Sequence, residues 1–307
     1  MSNFAFFFPG QGSQSVGMMQ GFSSHSIVKQ TFDEASAVLG VDFWKMATEA
    51  NDEINLTENT QPIMLTAGMA TWRVYQSLGG KLPTVMAGHS LGEYTALVAA
   101  GAVTFADALP LVKYRAQVMQ QAVPEGQGAM AAILGLDDDT VRAVCSEASQ
   151  GQVVQAVNFN SPGQVVIAGD KAAVERGMEL AKAKGAKRAL PLPVSVPSHC
   201  DLMQPAANQL RDYLQNVTVH VPLVPVLHNA DVAAYNDATQ IKDALVRQLY
   251  HPVRWVETVQ QLAAQEVLSA AECGPGKVLA GLAKRIVADM RCDALVNDES
   301  MHAFVAQ

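Results

Sequence analysis

The chain has 307 residues, 49% of them apolar and 16% charged, which is the composition of a packed globular protein and excludes a disordered one. Its formal net charge of −8 at pH 7 argues against nucleic acid as a partner, because nucleic-acid-binding surfaces are basic. No apolar run approaches the roughly 20 residues of a transmembrane helix, and the first residues lack the basic segment of a signal peptide, so we expect no membrane association.

The first predicted element is a buried strand that runs into a glycine-rich loop. Residues 4–8 (FAFFF) are all apolar, as in a strand covered on both faces of a parallel sheet. The loop PGQGSQSVG lacks both the GK[ST] ending of a phosphate-binding P-loop and the third glycine of a dinucleotide-binding loop. It is therefore either a tight turn or a loop whose backbone N–H groups point into a site.

A mostly helical stretch, residues 26–81, precedes the second strand. Its clearest helix is predicted to have Pro62 in the first turn and to end at Gly79. The strand KLPTVMAG then leads into the motif GHSLG, and two helices are predicted over residues 91–100 and 106–122.

Residues 126–195 show a different order of elements, β-α-β-β-α-β, which is typical of a ferredoxin-like unit. We therefore predict a small domain over 126–195 that is inserted into a large α/β domain of residues 1–125 and 196–307. Asp170 is placed to cap the second helix of the small domain and Gly185 to end it.

The predicted large domain continues after the insertion with alternating helices and strands. The expected elements are a helix near 201–215, the strand VPVLHN, helices near 238–264, the strand EVLSAAE and a helix from Gly276. The four cysteines of the chain are scattered singly, so no CxxC pair suggests zinc or redox chemistry. Such cysteine usage fits a reduced, cytoplasmic setting.

The motif GHSLG, residues 88–92, fits the G-x-S-x-G pattern of a nucleophile turn, which predicts an α/β-hydrolase-like large domain with a parallel sheet. Such a turn exposes its serine at the carboxyl end of a strand, and the next N–H opens a helix and can meet an oxyanion. The strand before Ser90 and the helix after it match this context, so Ser90 is the candidate nucleophile. The alternative is a tight turn without chemistry, since the pattern is common by chance.

A nucleophilic serine needs a base, and the chain has seven histidines. His89 is adjacent to Ser90, and adjacent side chains on such a turn point apart. His199 stands just before a predicted helix, where the chain returns to the large domain and could cover the mouth beside Ser90. A lone histidine is usually structural, so the choice of His199 depends on this context.

Seven motifs occur in the order found in malonyl-CoA:acyl-carrier-protein transacylases of bacterial-type (type II) fatty acid synthesis, and the chain resembles this family from end to end. They are FPGQGSQ, TQP, GHSLGEY, the arginine of LVKYRAQVM, VPSHC, QLYHPVRW and ECGPGKVLAGLAKRI. The resemblance implies a ping-pong acyltransferase that moves malonyl from malonyl-CoA to the phosphopantetheine thiol of holo acyl carrier protein through a malonyl-serine ester. It implies a monomer that needs no metal and no bound cofactor.

The resemblance also implies catalytic roles for single residues. Ser90 would carry the acyl group, and His199 would act first as general base and then as general acid. Gln11 and Leu91 would supply the backbone N–H groups of the oxyanion hole. Gln248 would orient His199 through its backbone carbonyl.

The third member of the triad departs from the order Ser, then Asp or Glu, then His of ordinary hydrolases. The acidic residues between Ser90 and His199 lie mostly in the predicted insertion, and Asp201 begins a helix that it could simply cap. A neutral carbonyl partner would still fix the tautomer of the imidazole, although it would stabilise imidazolium less than a carboxylate does.

Arg115 would hold the malonyl carboxylate, and Gln61 would line the site, if the resemblance is followed. The pattern of the helix agrees, because Arg115 falls on its apolar stripe. A guanidinium turned inward needs an anion, and its planar fork matches a carboxylate. The ordinary alternative is an arginine whose stem packs while its head reaches water.

Three other functions remain open from the sequence. A lipase or thioesterase would need an acid for its histidine and an apolar acyl channel without Arg115. A non-catalytic module that binds carrier proteins would have lost the nucleophile, base or arginine. A polyketide acyltransferase would use another extender such as methylmalonyl, and Ser198 before His199 does not decide this.

Docking of an acidic carrier protein on an acidic enzyme requires a local basic face. Lys284 and Arg285 lie side by side on the C-terminal helix, and the resemblance favours this pair. A second basic run lies in the predicted insertion, at Lys182, Lys184, Lys187 and Arg188. Solvated surface charge is the ordinary explanation of both runs.

Overall fold

The computed structural model describes residues 3–194 and 196–307, so Ser195, the last residue of the predicted small domain, lies outside the described residues. The described residues form nine strands and twelve α-helices. The strands are β1 Phe4–Phe8, β2 Val85–Gly88, β3 Gly128–Leu134, β4 Val154–Ser161, β5 Gln164–Asp170, β6 Arg188–Pro191, β7 Val226–Leu227, β8 Ser269–Cys273 and β9 Arg291–Leu295. The helices are α1 Ser26–Leu39, α2 Phe43–Thr48, α3 Thr57–Ser77, α4 Leu91–Ala99, α5 Phe105–Ala122, α6 Asp138–Ser149, α7 Lys171–Ala183, α8 Gln204–Leu214, α9 Ala238–Gln248, α10 Trp255–Ala264, α11 Val278–Ile286 and α12 Asp298–Val305.

The larger sheet is parallel and has the order β7-β2-β1-β8-β9. The predicted first strand is confirmed as β1, and every one of its residues is buried. Phe6 and Phe8 pack into the core on one face, whereas Ala5 and Phe7 pack into the core on the other. This alternation explains why the strand is apolar at each position.

The smaller sheet is antiparallel, has the order β4-β5-β3-β6, and carries α6 and α7 against it. Residues 128–191 follow the predicted β-α-β-β-α-β order. The chain is therefore a mixed α/β protein with one parallel and one antiparallel sheet. Among the described residues, no helix combines the length and the apolar character needed to cross a bilayer.

Three local predictions are corrected by the structure, and two elements were not predicted. Helix α3 begins at Thr57, so Pro62 lies inside the helix rather than in its first turn. Asp170 does not cap α7 with its side chain, because its Oδ2 accepts a hydrogen bond from the Val153 N–H at 2.7 Å. The strand predicted from VPVLHN is only the two-residue β7, and the final pair β9 and α12 was not predicted.

The two sheets are joined by the segment that follows α9. Val253 forms a β-bridge with β4, in which its N–H donates to Val157 O at 2.8 Å and its O accepts from the Phe159 N–H at 3.1 Å. The same segment begins at Gln248, beside the site described below. The antiparallel sheet is thereby fixed over the carboxyl ends of the parallel strands β1, β2 and β7.

Candidate active site

Ser90 stands on a tight turn between β2, which ends at Gly88, and α4, which begins at Leu91. Its backbone has φ 52° and ψ −110°, in the left-handed half of conformational space that side chains rarely occupy. The flanking glycines are required, since a Cβ on Gly88 would lie 1.9 Å from the Gly92 backbone and one on Gly92 would lie 2.0 Å from Phe8 O. The turn has the strained strand–turn–helix geometry of a nucleophile elbow.

His199 lies against the hydroxyl of Ser90, with 2.8 Å between Nε2 and Oγ. Its Nδ1 is 2.7 Å from the backbone O of Gln248, and its own N–H donates to Leu249 O at 3.0 Å. A carbonyl oxygen only accepts, so Nδ1 carries the proton and Nε2 is free to accept the Ser90 hydroxyl hydrogen. The imidazole is held in the tautomer that a general base requires.

Burial, and after it the nearby positive charge of Arg115, lower the pKa of His199 to about 3, although the hydrogen bond to the Gln248 carbonyl opposes the shift. At neutral pH the side chain is therefore the uncharged base. His89 turns away from this pair, and its Nε2 lies 2.8 Å from Oδ1 of Asn160 in the antiparallel sheet. Burial also lowers the pKa of His89.

Arg115 is a buried cation, only 1% exposed, on α5. Nη1 donates to Gln61 Oε1 at 2.7 Å, and Nη2 donates to Gln248 Oε1 at 2.9 Å and to Ser90 Oγ at 3.2 Å. Its guanidinium lies 5.2 Å from the ring centre of Tyr94, and its Nε has no partner among the described residues. None of the ion pairs between described residues involves Arg115.

The surroundings of Arg115 disfavour a bare charge, and burial lowers its pKa. The charges of Tyr94 and Glu93 oppose that shift, but neither forms an ion pair with it. A buried charge is normally paired, because leaving it alone costs several kcal/mol. Beside the hydroxyl of Ser90, the protein thus holds a buried cation that forms no ion pair with a described residue.

Six of the predicted site residues line one cavity of about 220 Å³, whereas Gln248 lies outside its lining. Gln11, on the loop after β1, and Leu91, at the start of α4, line it together with Ser90, His199 and Arg115. Gln61 completes this wall of the cavity. The opposite wall comes from the antiparallel sheet, where Met130 and Val166 present apolar side chains.

Lys284 and Arg285 do not line this cavity. Both are exposed in the last turn of α11, and Arg285 Nη1 donates to Gln164 Oε1 at 3.1 Å, at the start of β5. The second basic run is exposed as well, but Lys182 and Lys184 are each paired with a glutamate.

Three buried polar groups beneath the site escaped prediction: the side chain of Gln248, Glu93 and Asn229. Gln248 Nε2 donates to Ser90 O at 2.9 Å and to Glu93 Oε2 at 3.0 Å. One signal was present in the sequence, since Glu93 is the single charged residue of the otherwise apolar helix α4. Asn229 follows a strand, as Ser90 does, but nothing in its local pattern marks it.

Residues 5–297 match the family model described as the acyl transferase domain, which places the protein in the class of acyltransferases. The malonyl CoA-acyl carrier protein transacylase of Salmonella typhimurium is 56% identical over 309 residues, which cover 100% of both chains. The relative of the same name from Escherichia coli is 57% identical over 305 residues, 99% of each chain. The chain belongs to the malonyl CoA-acyl carrier protein transacylase family, as its motifs predict.

Solved structures agree with this placement. The acyl-carrier-protein S-malonyltransferase of Burkholderia pseudomallei matches with a TM-score of 0.97 and 59% identity, covering 99% of this chain and 100% of that one. A malonyl-transacylase solved in complex with its type II PKS acyl-carrier protein matches with a TM-score of 0.98 and 52% identity, covering 99% of each chain.

Proposed function

We propose that this protein transfers a malonyl group from malonyl-CoA to acyl carrier protein for fatty acid synthesis. The observation that carries the proposal is the unpaired, buried Arg115, whose Nη2 lies 3.2 Å from the hydroxyl of Ser90. A malonyl thioester brings a free carboxylate to within a few bonds of the carbonyl that is attacked, whereas an acetyl thioester brings none. The named relatives support the same activity.

Acylation begins when Ser90 Oγ attacks the thioester carbonyl while His199 Nε2 accepts the hydroxyl proton. The oxyanion that forms is stabilised by the backbone N–H groups of Gln11 and Leu91, an assignment supported by the presence of both residues in the lining of the cavity that holds Ser90. Collapse of the tetrahedral intermediate breaks the C–S bond, and the leaving thiolate of coenzyme A takes the proton from His199. The malonyl group is then an ester on Ser90, with its carboxylate on Arg115.

Transfer reverses these steps with a second thiol. The phosphopantetheine thiol of the carrier protein gives its proton to His199 and attacks the ester carbonyl. The C–O bond to Ser90 breaks, and Ser90 recovers its proton from His199. Water is a competing nucleophile, so burial of the ester within the cavity favours transfer over hydrolysis.

The proposed base has a carbonyl where a serine hydrolase has a carboxylate. Gln248 O orients the imidazole, as the 2.7 Å contact with Nδ1 supports, but it adds no negative charge. Asp201 is engaged elsewhere, since its Oδ2 accepts a hydrogen bond from Gln155 Nε2 at 3.0 Å. The reaction assigns no step to a metal or a resident cofactor, because coenzyme A enters as part of the substrate.

We describe the antiparallel unit, 126–195 in the predicted boundaries, as ferredoxin-like and the remainder as hydrolase-like. The strand order β4-β5-β3-β6 supports the first description, and the nucleophile elbow after a parallel strand supports the second.

For docking of the carrier protein we propose the Lys284–Arg285 pair. It forms no ion pair with a described residue, whereas Lys182 and Lys184 are already paired. The enzyme is proposed to act as a cytoplasmic monomer.

The mass of the intact protein after incubation with different thioesters tests the function. We expect a covalent malonyl adduct from malonyl-CoA, much less adduct from acetyl-CoA, and loss of the adduct when holo carrier protein is added. Methylmalonyl-CoA, run in parallel, measures tolerance of a branched extender. An adduct from acetyl-CoA as fast as that from malonyl-CoA would contradict the assignment of Arg115.

A further inference from the structure

The side chain of Asn229 forms hydrogen bonds with the backbone at Ser90 and two residues before it, at Gly88. It is 1% exposed and follows β7, the strand next to β2. Its Nδ2 donates to Gly88 O at 2.7 Å, and its Oδ1 accepts the Ser90 N–H at 2.8 Å. Because a carbonyl only accepts and an N–H only donates, these two contacts fix which way the amide faces.

Asn229 is itself anchored to the helix that starts at the elbow. Its backbone N–H donates to Glu93 Oε2 at 2.8 Å, and Glu93 is fully buried. The other carboxylate oxygen, Oε1, lies 2.7 Å from His228 Nδ1. The grip on Ser90 therefore has little freedom to shift.

The backbone of Ser90 is held at both of its polar groups by distant side chains. Asn229 takes its N–H, and Gln248 Nε2 donates to its carbonyl oxygen at 2.9 Å. A left-handed conformation such as that of Ser90 persists only where the surrounding structure over-determines it. The flanking glycines make the conformation possible, but these hydrogen bonds select it.

We propose that Asn229 is a positioning residue for the nucleophile: it holds the strained backbone of Ser90 so that Oγ stays in line with His199 Nε2. The proposal rests on the proposed function, in which Ser90 is the nucleophile. Among the described residues no hydrogen bond joins Asn229 to the guanidinium of Arg115; the two are linked through the Gln248 side chain, whose Nε2 lies 3.4 Å from Asn229 Oδ1 and whose Oε1 accepts from Arg115. Because Asn229 bonds directly to the Ser90 backbone and not to Arg115, its loss slows attack on every acyl group by the same factor and leaves the preference for malonyl unchanged.

Two substitutions of Asn229 distinguish a role in holding the Ser90 backbone from a role in stabilising the fold. Asn229→Asp is nearly isosteric and keeps an acceptor for the Ser90 N–H, but it turns the donor that faces Gly88 O into an acceptor. Asn229→Ala removes both contacts. Glu272→Gln is the control, because Glu272 is another fully buried polar side chain, bonded to the Ala280 N–H in a part of the fold that does not touch the site.

Three rates are measured on each variant: acylation by malonyl-CoA, acylation by acetyl-CoA, and labelling of the serine by phenylmethylsulfonyl fluoride. We expect both Asn229 variants to lose roughly 10- to 100-fold in all three, as for a reacting group displaced by about 1 Å. The loss falls in kcat rather than KM, and the ratio of malonyl to acetyl acylation does not change. Glu272→Gln changes the unfolding midpoint but none of the three rates.

Each contrary result overturns the proposal. Folded Asn229 variants with rates within about threefold of the wild type would show that the glycines alone hold the elbow. A loss confined to malonyl would show that Asn229 acts through Arg115. Failure of both variants to fold would show that Asn229 supports the whole sheet. If the wild type were labelled by the sulfonyl fluoride but formed no malonyl adduct, the proposed function would fail, and the labelling rates would still decide the role of Asn229.

Discussion

The nucleophile half and the acyl-recognition half of the site differ in how complete they are. In the first, the atoms that exchange a proton, Ser90 Oγ and His199 Nε2, are already in contact, and His199 Nδ1 is held by Gln248 O. In the second, the guanidinium of Arg115 meets only neutral acceptors, and its Nε has no partner among the described residues. Under the proposed function, the nucleophile and its base are therefore aligned before substrate binds, whereas Arg115 forms its ion pair only with the carboxylate of the substrate.

Two residues, Ser90 and Gln248, belong to both halves. Ser90 Oγ lies 2.8 Å from His199 Nε2 and also accepts from Arg115 Nη2 at 3.2 Å. Gln248 accepts from His199 with its backbone oxygen and from Arg115 with its side-chain oxygen. The contrast between the halves can therefore be tested by removing the key group of each in turn, and then by asking whether the charge in one half is felt in the other.

The largest effect is expected from Ser90→Ala, which removes the atom that forms the ester. Both the covalent adduct and the transfer of malonyl to carrier protein are abolished, as measured by intact mass and by carrier-protein acylation. The unfolding midpoint measured alongside controls for misfolding. A malonyl adduct on this variant would show that another side chain is the nucleophile.

Arg115→Ala removes the cation of the recognition half, together with its 3.2 Å hydrogen bond to Ser90 Oγ. Loss of a bidentate, charge-assisted pair costs about 2–5 kcal/mol, so acylation by malonyl-CoA falls by tens to thousands of fold. Acetyl-CoA, which has no carboxylate to lose, is affected far less. Arg115→Lys is the matched control, because lysine keeps the positive charge but lacks the planar fork of arginine. Its rate of acylation by malonyl-CoA should lie between those of the wild type and Arg115→Ala. Equal losses on malonyl and acetyl would make Arg115 a structural residue.

The pH dependence tests whether the halves are coupled. The pKa of His199, lowered to about 3, leaves the base uncharged well below its ordinary value of 6.5, so the acylation rate stays level from pH 8 to about pH 5. Arg115→Ala removes one cause of the lowering and moves the acidic limb to higher pH. The measurement is kcat/KM against pH, with sulfonyl fluoride labelling as a substrate-independent check. A wild-type limb near 6.5 would contradict the buried, uncharged base.

Glu272 is a buried carboxyl group outside the site, and its effect is expected on the pH dependence of stability rather than on activity. Burial raises its pKa from 4.5 to about 6, so the folded state binds the proton more tightly than the unfolded state. The free energy of unfolding therefore falls by about 2 kcal/mol as the pH rises through the window from 4.5 to 6. In Glu272→Gln this dependence is lost, which urea unfolding at pH 4.5 and pH 7 measures. Parallel pH curves for variant and wild type would refute the assignment.

The smallest effect is expected from reversing Lys284 and Arg285 to glutamate, because both are exposed and lie outside the cavity. Transfer to carrier protein slows by roughly several-fold at low salt and recovers as salt rises, whereas acylation by malonyl-CoA changes less. Lys182→Glu with Lys184→Glu is the matched control of equal charge change. If only the control slows transfer, the docking face lies on the antiparallel sheet.

The sequence predicted those elements whose conformation is set by residues close to them in the chain. The all-apolar run at β1 and the glycines around Ser90 mark the strand and the turn within a few residues of sequence. By contrast, Asn229 reaches Ser90 across 139 positions, and Gln248 reaches its carbonyl across 158. Such contacts depend on the order of strands in the sheet, which a two-residue strand such as β7 does not reveal beforehand.

The short segment from Gln248 to Val253 links His199, the proposed base, to the antiparallel sheet, which lines one side of the cavity. Two of its carbonyls hold His199, and its far end is stitched to β4 by two backbone hydrogen bonds. His199 and the antiparallel sheet are consequently connected through one short segment of backbone. The position of the His199 imidazole is therefore tied through the backbone of residues 248–253 to the position of β4.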